Sequence, residues 1–220
     1  DFVESGDIPA PIIISSSHPE EGVWVSQDQL LLNWQGHEEG DWYRYEINKE
    51  SNLDYDQILH ETQLTSKEYL IDESGYWYFH IFRLRDGQLS GISVYKLAID
   101  AQSPEKFDLG VSSYIDENGV KQFYLSFSTI DQHSGIDYYH VVNGKEHGLA
   151  HNPYVLGPLS PGVYSFEVTA FDNVGNTYTE SRGFTLVGNW QFPWLFVTLL
   201  FIFISWLIVV HYFVRKYLIG

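Results

Sequence analysis

The 220-residue sequence contains no cysteine and no methionine. Without cysteine there is no disulfide framework and no thiol nucleophile, which argues against a disulfide-bonded immunoglobulin domain of the animal type and fits a bacterial exterior. Without methionine, Asp1 is read as the start of a processed or truncated chain, with a signal peptide expected upstream. Basic residues are scarce: 12 Lys and Arg stand against 29 Asp and Glu, a net charge of −17. Up to residue 188 the balance is 10 against 29, or −19, because Arg215 and Lys216 lie in the tail. Such a surface repels nucleic acid and anionic lipid headgroups and suits solubility in a crowded exterior. The GxSxG and HExxH patterns are absent, and the expectation is a non-catalytic protein with no cofactor. Stretches of helical period are absent before the tail, the least clear segment being His60 to Lys67, which is read as room for a turn of helix.

One segment lacks charge altogether. Phe192 to Val214 is 23 residues without Asp, Glu, Lys or Arg. As a helix it would run about 34 Å, enough to cross a bilayer core, and an isolated span in hydrocarbon satisfies its backbone only as a helix. Trp190 and Trp194 at its front and Tyr212 and Tyr217 at its back suit the headgroup layers. Arg215 and Lys216 follow with no acid after them, so the C-terminus is expected in the cytoplasm and everything before Trp190 outside. The segment has no glycine and no GxxxG, and Ser205 is its one serine, so it lacks the usual close-approach face and suits lipid or a fit against a larger partner. His211 is its one ionisable group.

Before the tail the apolar residues alternate. Leu30, Leu32 and Trp34 form one series, Tyr43, Tyr45 and Ile47 another, and Trp77, Phe79 and Ile81 a third; Val94, Leu97 and Ile99 precede Asp100. Gly36, Gly40, Asn52, Gly75 and Gly87 punctuate them. Period two between turn residues marks half-buried strands. A second series follows Ser103-Pro104: a strand from Phe107 to Tyr114, a hairpin turn at Asn118-Gly119, then Phe123, Leu125 and Phe127, then Tyr139 and Val141, Tyr154, Val163 to Phe171, and Tyr178 to Leu186. Strands so spaced without intervening helices predict antiparallel sandwiches. The halves repeat each other: Gly75-Tyr-Trp-Tyr-Phe-His-Ile parallels Gly162-Val-Tyr-Ser-Phe-Glu-Val, and Leu30-x-Leu32-x-Trp34 parallels Phe123-x-Leu125-x-Phe127. The expected organisation is a linker or remnant over 1–10, one sandwich over 11–100, a second over 101–188, and a tail over 189–220 that holds the membrane helix and a short basic end.

These residues resemble a known family. Leu159-Ser-Pro-Gly162-Val-Tyr164-Ser-Phe166-Glu-Val168-Thr-Ala170 is similar to the LxPGxxYxFxVxA signature of fibronectin type III domains, one residue shorter before the tyrosine, and Trp34 looks like that family's core tryptophan. Asp131-Gln-His-Ser134-Gly135-Ile136-Asp-Tyr138 and Phe171-Asp172-Asn173-Val-Gly175-Asn176 are similar to the D..SGI..Y and A.DNAGN patterns of bacterial immunoglobulin-like surface repeats. The second half matches better; in the first, Arg85-Asp86-Gly87 replaces the DNAGN turn. The resemblance implies an all-β fold of two tandem Ig/fibronectin III-like antiparallel sandwiches followed by one transmembrane helix. It also implies work in adhesion, protein binding or spacing at a bacterial surface, with the ligand left open.

Three groups of side chains could carry chemistry. Asp54, Asp56, Asp131 and Asp137 are candidate Ca²⁺ ligands at turns, against the plainer reading of a solvated acidic face. Trp24, Trp42, Tyr43, Tyr138 and Tyr139 lie at strand ends or adjacent positions, so some must point outward, where they could stack against polysaccharide or against another domain. His147 and His151 are four apart, but nearby Gly144, Gly148 and Pro153 favour a loop over a metal-binding helix. The partners expected are the lipid bilayer and other proteins, at the cell surface or within a membrane complex to which this chain would be accessory. A carbohydrate-binding module is the third reading.

Overall fold

The computed structural model describes residues 3–4, 8–26, 29–143, 146–188 and 194–217. The chain forms two compact units, Asp1–Leu159 with Tyr164–Phe184, and Ser160–Val163 with Thr185–Gly220.

Strands from the first hundred residues build two facing sheets. They are β1 (Val3–Glu4), β2 (Ile12–Ser15), β3 (Trp24–Val25), β4 (Gln29–Gln35), β5 (Trp42–Asn48), β6 (His60–Thr62), β7 (Ser66–Leu70), β8 (Gly75–Arg85), β9 (Gln88–Leu89) and β10 (Ser93–Ile99). One sheet has the order β2-β4-β7; the other is built on β6-β5-β8-β10, with the short β3 and β1 added in parallel to β10 and β9. Alternation decides what is inside. Leu30, Leu32 and Trp34 of β4 meet Tyr43 and Tyr45 of β5, Phe79 and Ile81 of β8, and Tyr95, Leu97 and Ile99 of β10 in one core. The Trp34 ring stacks on Phe79 at 5.9 Å and meets Tyr43 edge-on at 5.6 Å. On β10 the inward set is the odd-numbered one, so Val94 is exposed.

Strand β8 is buried on both faces from Phe79 to Arg83. Its outer face is covered by the connection after β5, where a 3₁₀ turn at Tyr55–Gln57 helps bury Ile58, Phe82 and Leu89 as a second small cluster. Tyr55 Oη donates to the carbonyl of Ser90 at 2.9 Å, tying that cover down. The helical turn expected over His60 to Lys67 is therefore corrected: that stretch supplies β6 and the start of β7, and the turn lies earlier, where Gln57 Oε1 accepts the Asp54 amide at 2.7 Å.

The remaining strands are β11 (Gly110–Ile115), β12 (Lys121–Ser126), β13 (Ile136–Asn143), β14 (Glu146–Ala150), β15 (Tyr154–Gly157), β16 (Gly162–Asp172) and β17 (Thr177–Leu186). Their sheets are β11-β12-β15 and β14-β13-β16-β17. The connectivity repeats that of the first half strand for strand: first, second and fifth in one sheet; fourth, third, sixth and seventh in the other. Phe107, Leu109, Leu125, Phe127, Val141, Phe166, Val168 and Ala170 fill the core. The strand expected to begin at Phe107 begins at Gly110; Phe107 and Leu109 reach the core from the extended chain before it. Asp116 closes the β11–β12 hairpin, its Oδ1 accepting the amides of Asn118 at 3.0 Å and Val120 at 2.8 Å, with Gly119 at φ +74°.

The one α-helix among the described residues is α1, Trp194–Tyr217, 24 residues. Its length, about 36 Å at the helical rise, and its composition make it a candidate membrane span. Its two aliphatic hydroxyls are each satisfied by the helix's own backbone: Thr198 Oγ1 donates to Leu195 O at 2.9 Å and Ser205 Oγ to Phe201 O at 2.8 Å. Neither needs water, as a hydrocarbon surrounding demands.

At one end of the first core sits a buried ion cluster. Asp41 and Arg83 are both enclosed, with Arg83 Nε 3.5 Å from Asp41 Oδ2, while Arg85 Nε reaches Asp41 Oδ1 at 2.6 Å and the Glu38 amide donates to Oδ2 at 2.8 Å. Burial pushes the Asp41 carboxyl up, but the Arg85 hydrogen bond, the Glu38 amide and the charges of Arg83 and Arg85 outweigh it and hold the group below its ordinary 3.8. Its stabilising contribution is therefore full above that ordinary value and is lost as the pH falls through the lowered one. Urea midpoints measured between roughly pH 5 and pH 2 should fall less steeply for Asp41→Asn than for the parent chain. Gly36 beside this cluster has φ +92°, and a Cβ there would lie 2.5 Å from Arg83 Nη2, whereas Gly40 at φ +88° has open space around it. Urea denaturation should show Gly40→Ala costing about 1 kcal/mol, the backbone strain alone, and Gly36→Ala about 3 kcal/mol, strain plus displacement of a buried guanidinium.

Candidate functional site

A hydrogen-bonded polar constellation lies where the chain passes from the first sandwich to the second. Three segments meet there: the connection Asp100–Gln102, the loop Asp131–Gly135 before β13, and the turn Asp172–Asn176 between β16 and β17. The turn is built by Asp172, only 2% exposed, whose Oδ1 accepts the amides of Val174 at 2.9 Å and Asn176 at 2.8 Å, with Gly175 at φ +92°. That fold brings the Asn176 carboxamide against the connection. Its Nδ2 donates to the carbonyls of Asp100 at 3.0 Å and Gln102 at 2.9 Å, and to Asp172 Oδ2 at 2.8 Å. Asn173 Nδ2 bonds the carbonyls of Ser134 at 2.7 Å and Gly135 at 3.2 Å, so the same turn also holds the loop.

The loop is shaped by Asp131, whose Oδ1 accepts the amides of His133 at 2.9 Å and Gly135 at 3.1 Å. This presents the Ser134 amide to Asp100 Oδ2 at 3.0 Å. From the first sandwich, the Val25 carbonyl accepts the Asp100 amide at 2.9 Å and Ser74 Oγ the Ala101 amide at 3.0 Å. Trp24 packs on Tyr76 at 4.9 Å and meets the His133 ring edge-on at 5.5 Å, and Lys96 Nζ lies 3.9 Å over the other ring, Tyr76.

Among the described residues, Asp100, Asp131 and His133 are the group whose ligand atoms could converge on a metal, lying within 4.8 Å of one another. Asp100 is wholly enclosed. His133 Nδ1 stands 3.9 Å from Asp100 Oδ1, and both that nitrogen and Ser134 Oγ are enclosed without a hydrogen-bond partner.

The candidate residues read from sequence fall in different places. Of the four acids, Asp131 alone is in this group. Asp54 precedes the 3₁₀ turn, Asp56 edges a groove with Arg44, Tyr55, Phe82, Leu84 and Leu89, and Asp137 edges another with Tyr138, Leu149 and His151. Asp100 and His133 were not singled out; the signal that could have found them is the acid at the predicted boundary together with the His inside the D..SGI..Y pattern. The five aromatics do not form one face. Tyr43 is a correction: it is fully buried, because β5 points its odd-numbered residues into the core. Tyr139 is half-buried against the second core, its hydroxyl accepting the Thr129 amide at 3.0 Å. Trp24 is part of the junction. Trp42 on β5 and Tyr138 on β13 are exposed, the latter stacked on Phe171 at 4.4 Å.

In the tail, Trp194 and Tyr212 are exposed on α1, and Arg215 and Lys216 occupy its last turn. Tyr217 closes the helix, while Trp190 lies outside the described residues. His147 is in β14 opposite Val142, and its side chain lies outside the described residues; His151 follows the strand end, so the pair is not on a helix.

No protein-family model matches the sequence, and no curated protein matches it. The structure is similar to the fibronectin(III)-like modules of Clostridium thermocellum CbhA, at 13% identity over 80% of this chain and 94% of that one, with a TM-score of 0.39. It is also similar to a two-domain fibronectin type III segment of chicken tenascin (17% identity, 80% and 99% covered, TM-score 0.37). Chicken CNTN1 FN1–FN3 domains give 12% identity, 82% and 68% coverage and a TM-score of 0.37. By its own strand connectivity the chain is of the tandem Ig/fibronectin III-like sandwich class, and it carries a C-terminal candidate membrane span.

Asn176 bridges segments that belong to both sandwiches, so Asn176→Ala should lower stability by about 1–3 kcal/mol. It should also broaden the distance distribution between spin labels on Ser51→Cys and Glu117→Cys, measured by pulsed electron resonance. An unchanged distribution would show that the carboxamide does not fix the junction.

Proposed function

We propose that this chain is a non-catalytic, membrane-anchored surface protein whose two sandwiches act as a stiff spacer or binding stalk outside the cell. The single observation that carries this reading is the pairing of a hydrogen-bonded junction with an apolar 24-residue helix in one chain. A freely jointed pair of modules would need no carboxamide spanning the connection. A helix whose apolar side chains are nearly all exposed and whose Thr198 and Ser205 hydroxyls bond its own backbone suits lipid as its surroundings. The basic residues that end α1, with the acids confined to the sequence before it, favour an N-terminus outside and a C-terminus in the cytoplasm. The partner in contact with α1 is then the bilayer, and the acidic sandwiches face outward, away from anionic headgroups that would repel them.

The absence of cysteine makes the orientation directly testable. Expressed behind a cleavable secretion signal in bacteria, the Ser51→Cys chain should react with a membrane-impermeant maleimide in intact cells, and the Gly220→Cys chain only after lysis. The chain should remain in the membrane pellet after alkaline extraction and leave it when residues 194–217 are deleted. The reverse labelling pattern, or release of the intact chain by alkali, would overturn the reading.

A further inference from the structure

We propose that the junction between the sandwiches binds a divalent transition-metal ion of the zinc class through the carboxylates of Asp100 and Asp131 and Nδ1 of His133.

Three observations lead there independently of the membrane reading. The first is convergence: the three donors lie within 4.8 Å of one another although the connection and the loop that carry them are about thirty residues apart in sequence. Ligands at about 2.0–2.2 Å from one tetrahedral ion stand roughly 3.4 Å apart, so the 3.9 Å from His133 Nδ1 to Asp100 Oδ1 needs to close by only about half an ångström.

The second is unpaired chemistry. The Asp100 carboxylate is wholly enclosed and accepts two backbone amides, from Ser134 and Gln102, yet within the described residues the one side chain near enough to balance its charge is His133. Buried charges are paired or hold metals. Facing it, Nδ1 of His133 and Oγ of Ser134 are enclosed polar atoms with no partner, which is uncommon in a folded interior. An ion placed between the carboxylate and the imidazole satisfies that nitrogen and balances the buried charge at once.

The third is the donor set. A neutral imidazole carrying its proton on Nε2 offers the Nδ1 lone pair, and one nitrogen with two carboxylate oxygens suits Zn²⁺ or Co²⁺. Ca²⁺ and Mg²⁺ prefer oxygen alone and more of it. The Trp24 ring against the imidazole edge limits how far the ligand can swing. Asp131 spends Oδ1 on two loop amides, leaving Oδ2 for the ion.

The test uses the full chain in detergent micelles, stripped with chelator and titrated with Co²⁺. One equivalent should give visible d–d bands of four-coordinate type, which Zn²⁺ then displaces, and Zn²⁺ should raise the melting temperature. His133→Gln should weaken Co²⁺ binding by roughly tenfold or more and abolish the thermal shift; Asp131→Asn, which keeps an oxygen for the loop amides, should weaken it likewise. His151→Gln should leave both readouts unchanged. The proposal is overturned if Co²⁺ gives only weak six-coordinate bands, or if His133→Gln binds as tightly as the parent, since the acidic surface would then be the binder. It is equally overturned if imidazole NMR shows His133 titrating against Asp100 identically with and without Zn²⁺, which would mark a metal-free His–Asp pair.

Discussion

The reach of one carboxamide organises the folded part of this chain. Asn176 can bond the carbonyls of Asp100 and Gln102 because the turn that carries it is wound around the Asp172 carboxylate. The turn in turn pins the Asp131–Gly135 loop through Asn173, and the loop delivers an amide to Asp100. Each bond is modest in isolation, a net 0.5–1.5 kcal/mol or so. Their value lies in being mutual: the connection cannot swing without breaking donors on two loops together. A peptide between two sandwiches thereby becomes an extension of the second sandwich's turn network.

The tail is built on a different pattern. In the sandwiches most strands sort their apolar groups to one side, β8 being covered on both. In α1 apolar side chains lie on every face, and the Thr198 and Ser205 hydroxyls turn inward to the helix backbone. Large apolar side chains are exposed along nearly the whole of α1, which suits a candidate membrane span.

Much of the fold was legible in the sequence because both cores are written in period two. Leu30, Leu32 and Trp34, and their counterparts Phe123, Leu125 and Phe127, alternate cleanly since only one face of their strands is covered. Where alternation failed, a second layer was present: His80 and Phe82 are buried on the outer face of β8 because the connection after β5 folds over them. Tyr43 illustrates another limit. Adjacent aromatics guarantee that one faces out, but only the partner strand decides which, and here it is Trp42. The junction was half legible. Asp131 could be read from its turn, whereas Asp100 and His133 become neighbours only when the connection folds against the loop, a proximity that no local spacing encodes.

The two sandwiches treat their open margins unequally. In the first, the short β3 lies alongside β10 and uses its Ala98 and Ile99 register positions, so part of that strand's free backbone is already engaged. In the second, β17 ends its sheet, and across Thr177–Leu186 the sequence places Glu180, Arg182 and Gly183 in the row. Charge and a residue poor at extending a ladder are how proteins discourage unwanted strand addition. That margin is where a strand of another chain would pair, and its charges and glycine make it a poor template for one.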